Sequence, residues 1–70
     1  RIMTFSERLK QSRKGSGLSQ MQLSIKSGIA QNMIWAYETG KRMPNAFTLC
    51  CLADALGVSM DYLYGRTDKP

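Results

Sequence analysis

The sequence predicts an all-α fold, one small domain of five short helices. Three observations carry that expectation. Ser, Thr and Gly punctuate the 70-residue chain at the spacings of helix starts and stops. Between them, apolar residues recur three and four positions apart. No stretch sustains the two-residue alternation of a half-buried strand.

The first helix starts after Thr4. Thr4 to Glu7 reads T-x-x-E, a capping box in which side chain and backbone satisfy each other's free groups. Phe5 and Leu9 share one face, and Gly15, Ser16 and Gly17 stop the helix near Lys14. The second helix opens on S-x-x-Q at Ser19–Gln22, buries Leu23 and ends at Gly28, a residue suited to the left-handed position after a helix. The third spans about Gln31 to Thr39, turns Ile34 and Tyr37 inward and closes at Gly40. A loop with Pro44 follows, from Lys41 to Asn45. The fourth helix runs from about Ala46 to Leu56, where Leu49, Leu52, Ala53 and Leu56 form an i, i+3, i+4, i+7 stripe. Ser59 caps a last short helix that ends at Gly65.

Helices of one to three turns are unstable alone, so these five must share a core. Its expected members are Phe5, Leu9, Leu18, Leu23, Ile29, Ile34, Tyr37, Leu49, Leu52, Ala53, Leu56, Val58 and Leu63. Residues 1–65 form the expected domain. Residues 66–70 form a polar tail, expected to be mobile, which is either a true end or the start of a linker to a further effector domain.

Composition narrows the function. Ten Lys and Arg oppose five Asp and Glu, a net charge of +5. Residues 1–44 hold eight of the basic and two of the acidic side chains, which suits a polyanionic partner. There is no His, so the commonest zinc ligand and general base are missing. No nucleophile–base pair or metal set can be assembled, and neither enzymatic activity, nor a metal, nor a cofactor is expected. No apolar run approaches the roughly 18–20 residues of a membrane span. Cys50 and Cys51 are adjacent and make no disulfide framework, which points to a reducing, cytoplasmic setting. Neighbours on a helix diverge by about 100°, so Cys50 is placed at the core edge and Cys51 as an exposed thiol.

Residues 20–39 carry the specific signal. Two helices crossing steeply through a short turn need a residue tolerant of positive φ in the turn, here Gly28. They need a small residue four before it, here Ser24, and apolar plugs beneath, here Leu23, Ile29, Ile34 and Tyr37. This is the helix-turn-helix template.

L-S-Q-M-Q-L-S-I-K-S-G-I, I-W-A-Y-E-T-G-K-R-M-P and L-A-D-A-L-G-V-S-M-D-Y-L together resemble the Cro/phage-repressor (XRE) class of bacterial and phage DNA-binding domains. The resemblance covers roughly residues 3–65. It implies a lambda-repressor-like domain whose third helix enters the major groove of double-stranded DNA, and members that bind operators as homodimers. Residues near the start of such a helix read bases, and the outward set here is Gln31, Asn32, Trp35 and Ala36. Gln and Asn can bond bidentately to adenine, and Ala36 is expected to touch a thymine methyl. The resemblance places Gln20, Lys41, Arg42 and Asn45 against phosphates, and pairs Arg13 with Glu38. Met60, Tyr62 and Tyr64 are a candidate dimer patch. Ala30 stands where relatives carry a Ser or Thr cap. Trp35 stands where they carry a small or polar group; it either packs on sugar or thymine methyls or folds back over the domain. Trp35 and Ala36 also favour an alternative, a protein-interaction module of antitoxin or anti-repressor type on the same scaffold.

Overall fold

The computed structural model describes residues 3–70; Arg1 and Ile2 of the expected domain lie outside the described residues. The elements are α1 (Phe5–Gly15), α2 (Gln20–Ser27), α3 (Gln31–Glu38), α4 (Ala46–Leu56) and α5 (Met60–Leu63), with no strand among the described residues. Local chemistry sets their starts. The Thr4 hydroxyl accepts from the Glu7 N–H at 3.3 Å, and Glu7 accepts from the Thr4 N–H at 3.1 Å. Ser19 and Gln22 repeat the arrangement at 3.0 and 2.8 Å. Ser59 caps α5 by accepting from the Tyr62 N–H. Gly28 turns the chain from α2 into α3 at φ +76°, where a Cβ would be strained.

Each helix contributes one large, fully buried side chain: Leu9, Leu23, Ile34, Leu52 and Leu63. No helix can bury its own contribution alone, so the five form one packing unit. α1 lies on α3 and α5, α2 on α3 and α4, and α4 on α5. Leu18, Ile29, Leu56 and Val58 are only partly buried at the rim. Ala55 is buried although the stripe on α4 omits it. Because α2 and α5 both pack on α4, its covered arc is wider than one stripe. The same fact corrects the placement of Cys51. It precedes Ala55 by one turn, on a covered flank, and is half-buried rather than exposed.

Among the described residues, two buried ones are not apolar: Arg8 and Arg13. Arg8 donates to the carbonyls of Tyr62 (3.1 Å) and Thr67 (3.2 Å) and to Asp68 Oδ1 (3.4 Å). Its guanidinium also lies 4.1 Å from the centroid of the Tyr62 ring, within cation–π range. The tail expected to be mobile is therefore held against α1. Gly65 lets it pass: φ is +87°, and a Cβ there would stand 2.6 Å from the Met3 carbonyl oxygen.

Candidate nucleic-acid interface

The N-terminus of α3 faces solvent. Gln31 and Asn32, in its first turn, are exposed. Ala30 offers no side-chain cap, so the first N–H groups of α3 lack a partner from the N-cap side chain. Trp35 follows one turn later, four residues from Gln31 and three from Asn32, on the same face. It is 49% exposed and does not fold back into the core. Gln20, the first residue of α2, completes the group. These four side chains line an open notch of about 390 Å³.

A buried carboxylate fixes that geometry from below. The Glu38 side chain, 3% exposed, accepts from Arg13 Nε at 2.6 Å and from Arg13 Nη2 at 3.0 Å. Arg13 Nη1 donates to the Leu18 carbonyl at 2.9 Å. Gln20 Nε2 donates to Glu38 Oε1 at 3.2 Å. One side chain of α3 thereby ties α1, α2 and α3 together. Hydrogen bonding to Glu38 is the main cause holding the Arg13 pKa above its ordinary value. Since a carboxylate only accepts, Gln20 must turn its NH₂ toward Glu38, which leaves its carbonyl as the free acceptor.

The sequence profile of the helix-turn-helix family matches residues 9–63, most of the chain. The chain belongs to the helix-turn-helix family. This helix-turn-helix domain is 44% identical over 59 residues to the uncharacterized HTH-type transcriptional regulator YqaE of Bacillus subtilis (strain 168), covering 84% of this chain and 51% of that protein. It is 38% identical to the cryptic phage CTXphi transcriptional repressor RstR of Vibrio cholerae (serotype O1, strain El Tor Inaba N16961), covering 91% and 57%. The chain thus spans just over half the length of these curated relatives. Among solved structures it is similar to the P22 c2 repressor protein in complex with synthetic operator 9T. There the TM-score is 0.86 at 29% identity, with 93% of this chain and 98% of that one covered.

Within the helix-turn-helix domain, Ala36 is not part of the outward face. It is 8% exposed. The chain after α3 turns back onto it: its carbonyl accepts from the N–H groups of Lys41 (2.9 Å) and Arg42 (3.3 Å) and from the Thr39 hydroxyl (3.3 Å). Ala36 thus fixes the loop backbone, while Lys41 and Arg42 themselves are exposed in the loop that follows α3. Asn45 is the N-cap of α4. Its Oδ1 accepts from the Thr48 N–H at 2.8 Å, so only its NH₂ is free to face outward.

The expected patch on α5 is divided. Met60 and Tyr64 are exposed, 36% and 47%. Tyr62 is half-buried with its ring against Arg8, which removes it from the free surface. Sequence reading missed Arg8, because its partners lie more than 50 positions away. It also missed Met21 and Ile25, exposed 59% and 77% on α2. There the signal was present: both stand about opposite Leu23 on the helix.

Proposed function

We propose that this domain is a sequence-specific double-stranded DNA-binding regulator of transcription. In its simplest form it is a repressor that binds an inverted-repeat operator as a dimer, with α3 in the major groove. The observation that carries this reading is the notch, where three amides and one indole converge on a helix held by a buried ion pair. Gln31 and Asn32 stand where bidentate bonds to adenine are made, each good pair giving about 1–3 kcal/mol of discrimination. Lys41, Arg42, the Asn45 NH₂ and the second N–H of the Gln20 amide take the phosphate contacts that position a domain without reading sequence. Relatives named as transcriptional regulators and repressors support the regulatory role. Met60 and Tyr64 are the exposed apolar pair for a partner copy, whose recognition helix would lie about 34 Å away.

The test is fluorescence anisotropy of a labelled random duplex over a range of salt, followed by selection of tight sites. With about 4–6 phosphates neutralised per protomer, log K falls with log salt at a slope of about −4 to −5. Selected sites show two half-sites in inverted orientation. Absence of binding at low salt overturns the reading. Exposed Met21 and Ile25 favour a second one, a protein-interaction module on the same scaffold. Retained binding to a protein partner without DNA affinity is the outcome that selects it.

A further inference from the structure

The side chain that separates this recognition helix from a purely polar one is Trp35. Half of it is exposed, and the exposed half lines the notch with Gln20, Gln31 and Asn32. An indole left bare in water is unfavourable, so its position in a notch calls for an apolar group on the ligand. Duplex DNA offers one in the major groove, the C5-methyl of thymine. Phosphate and sugar do not explain the placement as well, since Trp35 shares its face with the two residues best placed for base edges.

The chemistry distinguishes thymine further. Beside its methyl, thymine presents the O4 acceptor, whereas cytosine presents an amino donor. Tryptophan presents an apolar ring and one N–H donor. No hydrogen bond engages that N–H among the described residues. Ring to methyl and N–H to O4 make a matched pair; an amino group at that place leaves two donors facing each other.

Spacing places the thymine. Trp35 follows Gln31 by four residues, about 6 Å along the helix axis at 1.5 Å per residue. Base pairs rise about 3.4 Å per step. A helix lying along the groove therefore carries Trp35 about two steps beyond the base that Gln31 reads.

From this geometry we infer that Trp35 is a specificity-determining residue that reads a thymine through its C5-methyl, about two base steps from the adenine read by Gln31. The inference rests on the DNA-binding reading proposed above and adds which base the indole selects. The Arg13–Glu38–Gln20 network holds α3 while the methyl fills the open side of the notch.

The test uses sites selected from random duplex DNA. In each half-site the thymines are replaced one at a time by deoxyuridine, which deletes the methyl and nothing else. Affinities are measured by anisotropy for the natural chain, Trp35→Ala and Trp35→Phe. The natural chain loses about fourfold at one thymine position per half-site, the value of one buried methyl. Trp35→Ala is insensitive to deoxyuridine at that position, and Trp35→Phe keeps part of the sensitivity. Placing 5-methylcytosine there recovers less than thymine does, because its amino group replaces O4. Thermal melts check that the variants are folded, as the exposure of Trp35 predicts. Two results overturn the inference: no thymine position is sensitive to methyl loss, or Trp35→Ala keeps the full sensitivity. In both cases the selected sites still bind, which separates this failure from failure of DNA binding itself.

Discussion

Arg8 and Arg13 stand on the same helix, both buried, and hold different parts of the molecule. Arg13 meets a buried carboxylate, and its charge is matched by Glu38 on α3. Arg8 meets carbonyl dipoles and a ring; its one anionic partner, Asp68, is fully exposed. Arg13 fixes the helix that faces the notch, while Arg8 fixes α5 and the residues after it. The contrast shows how a small core holds charge. Here the ion that holds α3 is paired with an ion, and the ion that fastens the segment after α5 is held by backbone carbonyls and a ring, with its Nε left without a partner.

Deleting one ion of the Arg13–Glu38 pair has the largest expected effect. Glu38→Ala leaves Arg13 buried and uncompensated, an effect of about 3–5 kcal/mol on stability. Replacing both partners by apolar residues, Arg13→Met with Glu38→Leu, recovers most of that in a denaturant melt. The double variant binds DNA more weakly all the same, because Gln20 and α3 lose their anchor. Equal DNA affinity in the folded double variant would contradict the aiming role.

Arg8→Ala is the matching experiment at the other end. It costs about 1–3 kcal/mol, the value of buried hydrogen bonds left unmade. It also frees residues 66–70 for rapid amide exchange, while Asp68→Ala leaves stability unchanged because its carboxylate is solvated. If Asp68→Ala matched Arg8→Ala, the exposed ion pair would be the fastener and the contrast would fail. Gly65→Ala probes the same end without touching charge. Positive φ and the nearby Met3 carbonyl make it unfavourable by about 1–3 kcal/mol in a thermal melt.

The smallest effect is on the cysteines. The Asp54 carboxylate is the main cause that raises the Cys50 thiol pKa, and the two side chains lie 3.8 Å apart. A raised thiol pKa means less thiolate at a given pH. Alkylation near the ordinary thiol pKa of about 8.5 is therefore slower at Cys50 than in its Asp54→Asn variant. Equal rates in the two chains would remove Asp54 as the cause.

The helices were legible because their signals are local. Thr4, Ser19 and Ser59 cap from within three residues, and Gly28 and Gly57 end their helices by their own backbone freedom. The notch was legible in part: spacing puts Gln31, Asn32 and Trp35 on one face. The Arg13–Glu38 pair came only through family resemblance, since no local rule joins residues 25 positions apart. Ala36 and Cys51 were misplaced because a helical wheel assumes one covered side. The loop after α3 turns back onto the Ala36 carbonyl, and a second packed helix narrows the open arc at Cys51. Arg8 was illegible for a related reason. Its partners lie on α5 and in the tail, and a basic residue on a helix otherwise reads as solvated.

In the proposed reading α3, held by the buried pair, meets duplex DNA. The most direct measurement is Trp35 fluorescence during titration with random duplex DNA at two salt concentrations, since Trp35 is the only tryptophan and lines the notch. Binding through α3 gives a quench or blue shift at low salt that weakens at high salt. An unchanged spectrum at low salt, with anisotropy showing no binding, would contradict it.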